Sequence, residues 1–237
     1  MKTSEISLSK AALLAGIGYV MMMGTPFAEF YAMPKLTIAG NGATILKSLI
    51  AQRYFLRMAI TGYVVNFAGD ILAAWALYIL LKPVNKSLSL LACWLRIIYT
   101  LVSLSALLNL VTILSVTKHP EQYDASFLNN QVMVLLSAFR NGWGLAYLFF
   151  GSYLCLLGWL IFRSGYMPRW VGMYVTLSGL GWFLNNLQPL LYPDFKINFI
   201  IIAVAGLGEL VLMVWLLVKG VRLKNTFDAQ LDSGQTI

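Results

Sequence analysis

Asp70, Arg96 and Glu209 each stand inside a long apolar run. A charge at the centre of a membrane helix costs about 2.5–3.5 kcal/mol, so such residues pair with one another or mark the path of a solute or proton. A guanidinium beside two carboxylates offers three kinds of chemistry. Arg96 can be the counter-ion of a small polar or anionic solute, with Asp70 or Glu209 as the protonatable coupling group. The three residues can instead be structural ion pairs in a non-catalytic membrane subunit or sensor, fixing which helices pack together. Asp70 and Glu209 can also be read as the carboxylate pair of an intramembrane hydrolase. That last use lacks support elsewhere: the chain has no G-x-S-x-G and no H-E-x-x-H, and His119 lies in a loop-forming stretch. No catalytic residue is assigned; whether the chain is an enzyme is left open, and a non-enzymatic role fits the residues better.

Counting at 1.5 Å per residue places the three at related depths. Asp70 falls roughly 18–20 Å from Arg57 and from Lys82, Glu209 about 15 Å before Lys219, and Arg96 about 12 Å into its run. The positions around them form stripes of small and polar side chains. One stripe runs Gly62, Asn66, Gly69, Asp70, Ala73, and another runs Cys93, Arg96, Thr100, Ser103. A second row, Ser105, Asn109, Thr112, follows on the same segment, and Gly144, Gly151, Cys155 and Gly158 line a further one. Small residues let helices approach and polar ones hydrogen-bond across the contact, so these stripes are expected to face inward. Asp70, Arg96, Glu209 and Asn66 are therefore candidate binding residues. Glu29, Arg57 and Arg140 fall near the outer ends of their runs and are expected to form an interfacial, structural charge cluster.

The elements that must carry these residues are membrane helices. Of 237 residues, 59% are hydrophobic and only 11% charged, where soluble domains have about a quarter charged. That composition excludes an ordinary soluble domain. The net charge of +8 is scattered over the ends of apolar runs, with no basic patch, so nucleic acid is excluded as a partner. Cys93 and Cys155 lie inside apolar runs without metal-ligand spacing, and no metal or cofactor is expected.

A spanning helix needs about 20 apolar residues. Six such runs are present, at about 11–30, 57–81, 88–116, 141–162, 170–192 and 197–218. The fold class is all-α, an integral membrane bundle of six transmembrane helices in a single domain, 1–223, with a polar cytoplasmic tail, 224–237. The first run is read as an uncleaved helix, since "GTPFA" is a poor cleavage site. Lys2, Lys10, Lys82, Lys86, Arg163, Arg169, Lys219, Arg222 and Lys224 fall on one side, and Lys35, Lys47, Arg53, Lys118 and Lys196 on the other. The excess puts both termini in the cytoplasm. Residues 31–56 and 117–140 are the long outer loops. Within the first, "ATILKSLIAQRYFLRMAI" is amphipathic and suits either a helix along the outer interface or a solvated loop. The expected partners are the lipid bilayer, a small polar or anionic solute and, since six helices are few for a monomeric transporter, a second copy of the chain.

The stretches "AEF" at 28–30, "LLKPVNKSLSLLACWLR" at 80–96, "FFGSYLCLLGWLIFRSGYMPRWVGMYVTLSGLGWFL" at 149–184 and "GLGELVLMVWLLVKG" at 206–220 together resemble the bacterial domain-of-unknown-function 4386 family of multi-pass membrane proteins. The resemblance implies a six-helix protein of the bacterial inner membrane and carries no established activity. Its polar motifs match Glu29, Asp70, Arg96, Ser164, Gly165, Pro168 and Glu209. The family commonly has a histidine two residues after the glycine of "FFG"; this chain has Tyr153 there, which joins the candidate binding residues.

Overall fold

The computed structural model describes residues 6–36, 42–192 and 199–223. Among the described residues there are helices and no strand. A helix satisfies its backbone polar groups within one segment, which suits so apolar a composition. The order is α1 (Leu8–Met21), α2 (Gly24–Phe27), a π-helical turn (Ala28–Ala32), α3 (Met33–Leu36), α4 (Gly42–Ala51), α5 (Arg53–Leu81) and α6 (Lys86–Val116). A 3₁₀ turn (Pro120–Gln122), α7 (Ala125–Arg163), α8 (Arg169–Leu191), α9 (Phe199–Lys219) and a final 3₁₀ turn (Gly220–Leu223) follow.

Four helical stretches among the described residues are long and apolar enough to cross a membrane: 8–36, 53–81, 86–116 and 125–163. The fifth and sixth expected runs are the helices α8 and α9. The expected tail, 224–237, and the residues between α8 and α9 lie outside the described residues.

One expectation about the outer loops changes. Residues 117–140 are mostly helix: α7 begins at Ala125, sixteen residues before the expected start at Asn141, and is 39 residues long. At 1.5 Å per residue that is about 58 Å, nearly twice a hydrocarbon core of about 30 Å. Asp124 caps it, accepting hydrogen bonds from the backbone N–H of Ser126 and Phe127 at 2.9 and 3.0 Å. Within residues 31–56, the amphipathic segment is helical as α4, with Leu46 and Leu49 buried and Lys47 exposed.

The chain divides into two compact units. The first comprises Met1–Val20, Gly69–Tyr99 and Tyr147–Ile237. Its helices touch through glycine. A Cβ at Gly18 would stand 2.8 Å from the carbonyl oxygen of Gly69, so α1 meets α5 backbone to backbone. On α7 and α8, a Cβ at Gly151 would meet Gly179 O at 2.7 Å, and one at Gly158 would meet Gly172 O at 2.5 Å. The tight turns hold by named bonds. Asn85 caps α6 by accepting from Leu88 N at 2.9 Å, and Tyr166 Oη donates to Leu80 O at 2.5 Å. Gly165 takes φ +74°, the left-handed conformation that ends α7, while Ser164 Oγ accepts from Met167 N at 3.2 Å. The motif residues Ser164 and Gly165 thus build a turn.

The second unit comprises Met21–Ala68 and Thr100–Ala146. Its core is aromatic: Trp143 lies 4.8 Å from Tyr63, 5.9 Å from Phe67 and 5.4 Å from Phe139, between ring centroids. Leu128, Val132, Leu136 and Phe139 form the buried face of the early part of α7. Arg53 Nη2 donates to Leu114 O at 3.0 Å, tying the start of α5 to the end of α6.

Candidate functional site

Asp70 and Arg96 are brought level by the short turn between α5 and α6. Asp70 stands eleven residues before the end of α5 and Arg96 ten after the start of α6, about 16 and 15 Å from the turn. Arg96 Nε donates to Asp70 Oδ1 at 2.8 Å and Nη2 to the same oxygen at 2.5 Å. The third bond comes from α9: Arg96 Nη1 donates to Glu209 Oε1 at 2.6 Å. The side chains of Arg96 and Asp70 are each 1% exposed, and that of Glu209 is 22% exposed. All three belong to the first unit.

Glycines beside these residues set the helix contacts that hold them. Gly69 precedes Asp70 at the approach of α1 to α5 described above. Gly208 precedes Glu209, and a Cβ there would come within 2.5 Å of Ser178 Cβ on α8.

Four rings complete the enclosure. Arg96 Cζ lies 4.8 Å from the Tyr153 ring, 5.2 Å from Phe150, and 5.7 Å from both Tyr19 and Tyr99. Aromatic faces attract a guanidinium, more strongly where water is excluded. Tyr19 and Tyr153 join their hydroxyls at 3.4 Å. Beyond them Trp182 meets Phe150 edge-on at 6.0 Å and stacks on Tyr147 at 4.6 Å.

The enclosure therefore presents a permanent cation with one carboxylate buried against it and a second partly accessible. The two carboxylates are bridged by the guanidinium, which suits ion pairing better than a proton-sharing dyad. Among the described residues no group of three or more His, Cys, Asp or Glu side chains could hold a metal ion.

Of the sequence candidates, Asp70, Arg96, Glu209 and Tyr153 come together. Asn66 is buried, 4% exposed, and belongs to the second unit. Tyr19, Tyr99 and Phe150 were not identified from sequence. Their signals are modest: Tyr19 follows Gly16 and Gly18, Tyr99 stands one turn after Arg96, and Phe150 one turn before Tyr153.

The expected cluster of Glu29, Arg57 and Arg140 does not form. Arg57 and Arg140 are exposed, and among the described residues no ion pair joins either to Glu29. The buried hydroxyl of Tyr63 donates to Glu29 Oε1 instead. Glu29 lies in the π-helical turn Ala28–Ala32, whose wider winding shifts its direction away from an α-helical register. The row Ser105, Asn109, Thr112 also differs from expectation. Ser105 and Thr112 are exposed, each donating to the carbonyl one turn back, at Leu101 and Leu108. Such back-bonding satisfies a hydroxyl within its own helix, so no inward contact is needed. His119 is exposed and pairs with Glu121 at 3.2 Å.

Residues 14–220 match the family model described as Domain of unknown function (DUF4386). A curated relative from Archaeoglobus fulgidus (strain ATCC 49558 / DSM 4304 / JCM 9628 / NBRC 100126 / VC-16), named "Uncharacterized protein", is 30% identical over 167 residues. The match covers 70% of this chain and 86% of the relative. No solved structure matches the chain.

Proposed function

This chain belongs to the DUF4386 family, and on that premise we propose that it is a multi-pass membrane protein binding or transporting a small polar or anionic solute at Arg96. The carrying observation is the unequal exposure of the two carboxylates on one guanidinium, 1% for Asp70 and 22% for Glu209. Asp70 holds Arg96 in place, and the accessible arm to Glu209 is where a solute competes. In this reading six helices span the bilayer, α8 and α9 included. Both termini face the cytoplasm of a bacterial cell, on the Lys and Arg distribution. The test is saturable binding of radiolabelled acetate, lactate, benzoate, succinate and phosphate to the protein in lipid nanodiscs. At least one should bind and be lost in Arg96→Lys, which keeps the charge and removes the planar fork. Binding by none of them contradicts the proposal.

A second reading is favoured by the 1% exposure of Arg96 itself. The triad then only joins α5, α6 and α9, in a non-catalytic subunit or sensor. It expects no solute to bind and expects substitutions at the triad to change stability alone.

A further inference from the structure

The two carboxylates on Arg96 differ in more than exposure. Asp70 Oδ1 takes two N–H groups, whereas Glu209 Oε1 takes Nη1 alone. With both carboxylates ionised, the triad holds one excess negative charge, and an interior of low dielectric disfavours it. The groups around Arg96 include the phenols of Tyr19 from α1, Tyr99 from α6 and Tyr153 from α7, and Ser178 of α8 lies against the neighbouring Gly208.

From this asymmetry we infer that Glu209 is the proton carrier of the site, and that a monovalent carboxylate replaces it on Arg96. The inference deepens the solute-binding reading and rests on it. A proton from water bonds to a carboxylate oxygen of Glu209. The ion pair between Nη1 and Oε1 opens, and the solute carboxylate accepts the freed N–H. The added proton and the added anion cancel, so the site holds one negative charge before and after, and nothing is oxidised or reduced. One proton accompanies each anion, and the exchange is electroneutral. A dianion would leave an extra charge buried, which selects monocarboxylates. The rings of Tyr19, Phe150, Tyr153 and Trp182 suit one with a planar apolar body.

The experiment uses the full chain in nanodiscs, with sodium benzoate as probe. Without benzoate, acidification should raise the infrared C=O band of a protonated carboxyl. Carbon-13 labelling of glutamate should shift that band, labelling of aspartate should not, and Glu209→Gln should remove it. A missing band, or one that moves with labelled aspartate, overturns the inference. In weak buffer the wild type should take up one proton per benzoate bound, while Glu209→Gln should bind benzoate with no uptake. Benzoate binding without proton uptake by the wild type overturns the coupling and spares the solute reading. A Glu209 band with no binding of any tested anion keeps the proton carrier and overturns the solute half, together with the reading it rests on.

Discussion

Arg96 aims two of its N–H groups, Nε at 2.8 Å and Nη2 at 2.5 Å, onto one oxygen of Asp70. Both side chains are 1% exposed, so neither charge has water to fall back on. Removing one partner of a buried pair leaves the other uncompensated, at a cost of about 3–5 kcal/mol. Asp70→Ala should therefore lose about that much stability, read by circular dichroism during unfolding in mixed micelles. Glu209→Gln should lose less, because its side chain is 22% exposed and can still accept a hydrogen bond. Equal losses would contradict the division into a fixed and a movable arm.

The contact of α7 with α8 depends on missing side chains. A Cβ at Gly158 would strike Thr176 Oγ1 as well as the Gly172 carbonyl. Gly158→Val should cost about 1–3 kcal/mol through overpacking, or prevent insertion of the folded protein. At Gly165 nothing lies within 4 Å, yet φ is +74°. Gly165→Ala should cost about 1 kcal/mol from backbone strain alone. The same micelle unfolding assay measures both.

The cap of α7 should be sensitive to acid. Hydrogen bonds from the Ser126 hydroxyl, then from the Phe127 and Ser126 amides, hold the Asp124 carboxyl below its ordinary value. A depressed carboxylate stabilises the fold above its unfolded value, near 3.9, and loses that contribution as pH falls through the folded value. Exchange of the Ser126 and Phe127 amides should accelerate in that acid window relative to Asp124→Asn, whose neutral amide caps at every pH. Parallel pH profiles for the two proteins would remove the cap from the account.

Tyr166 should show the opposite sign. Burial raises its hydroxyl above the ordinary tyrosine range, so it donates to Leu80 O throughout neutral pH. A raised group contributes stability that is complete below the unfolded value, near 10, and disappears as pH rises through the folded one. Tyr166→Phe should cost about 1 kcal/mol at pH 7 and flatten the alkaline loss of stability. An unchanged alkaline limb would assign that loss to other groups.

Much of the site was legible because the short turn "KPVN" limits the register: Asp70 is twelve residues before Lys82 and Arg96 eleven after Asn85, which puts both at related depths. Glu209 was legible for the same reason, at a similar count from Lys219. The early part of α7 was missed because Asn129, Asn130 and Gln131 break its hydropathy. Its buried residues, Leu128, Val132, Leu136 and Phe139, nevertheless keep helical spacing. Ser105, Asn109 and Thr112 also have helical spacing, but spacing alone cannot say which side of a helix turns inward when hydroxyls can bond to their own backbone. Glu29 defeated a depth count because a π-helical turn rotates it toward Tyr63. The rings around Arg96 were hidden by their ordinariness, since aromatics in membrane helices are more often read as belt or core.

Carboxylates from two other helices, α5 and α9, grip Arg96. The most direct measurement is solid-state NMR dipolar recoupling in lipid bilayers, between nitrogen-15 in the Arg96 guanidinium and carbon-13 in the carboxyl groups. Couplings to Asp70 Cγ and Glu209 Cδ are expected at hydrogen-bond range, with the Glu209 coupling lost in Glu209→Gln and the Asp70 coupling kept. An Arg96 guanidinium coupled to neither carboxyl carbon would contradict that grip.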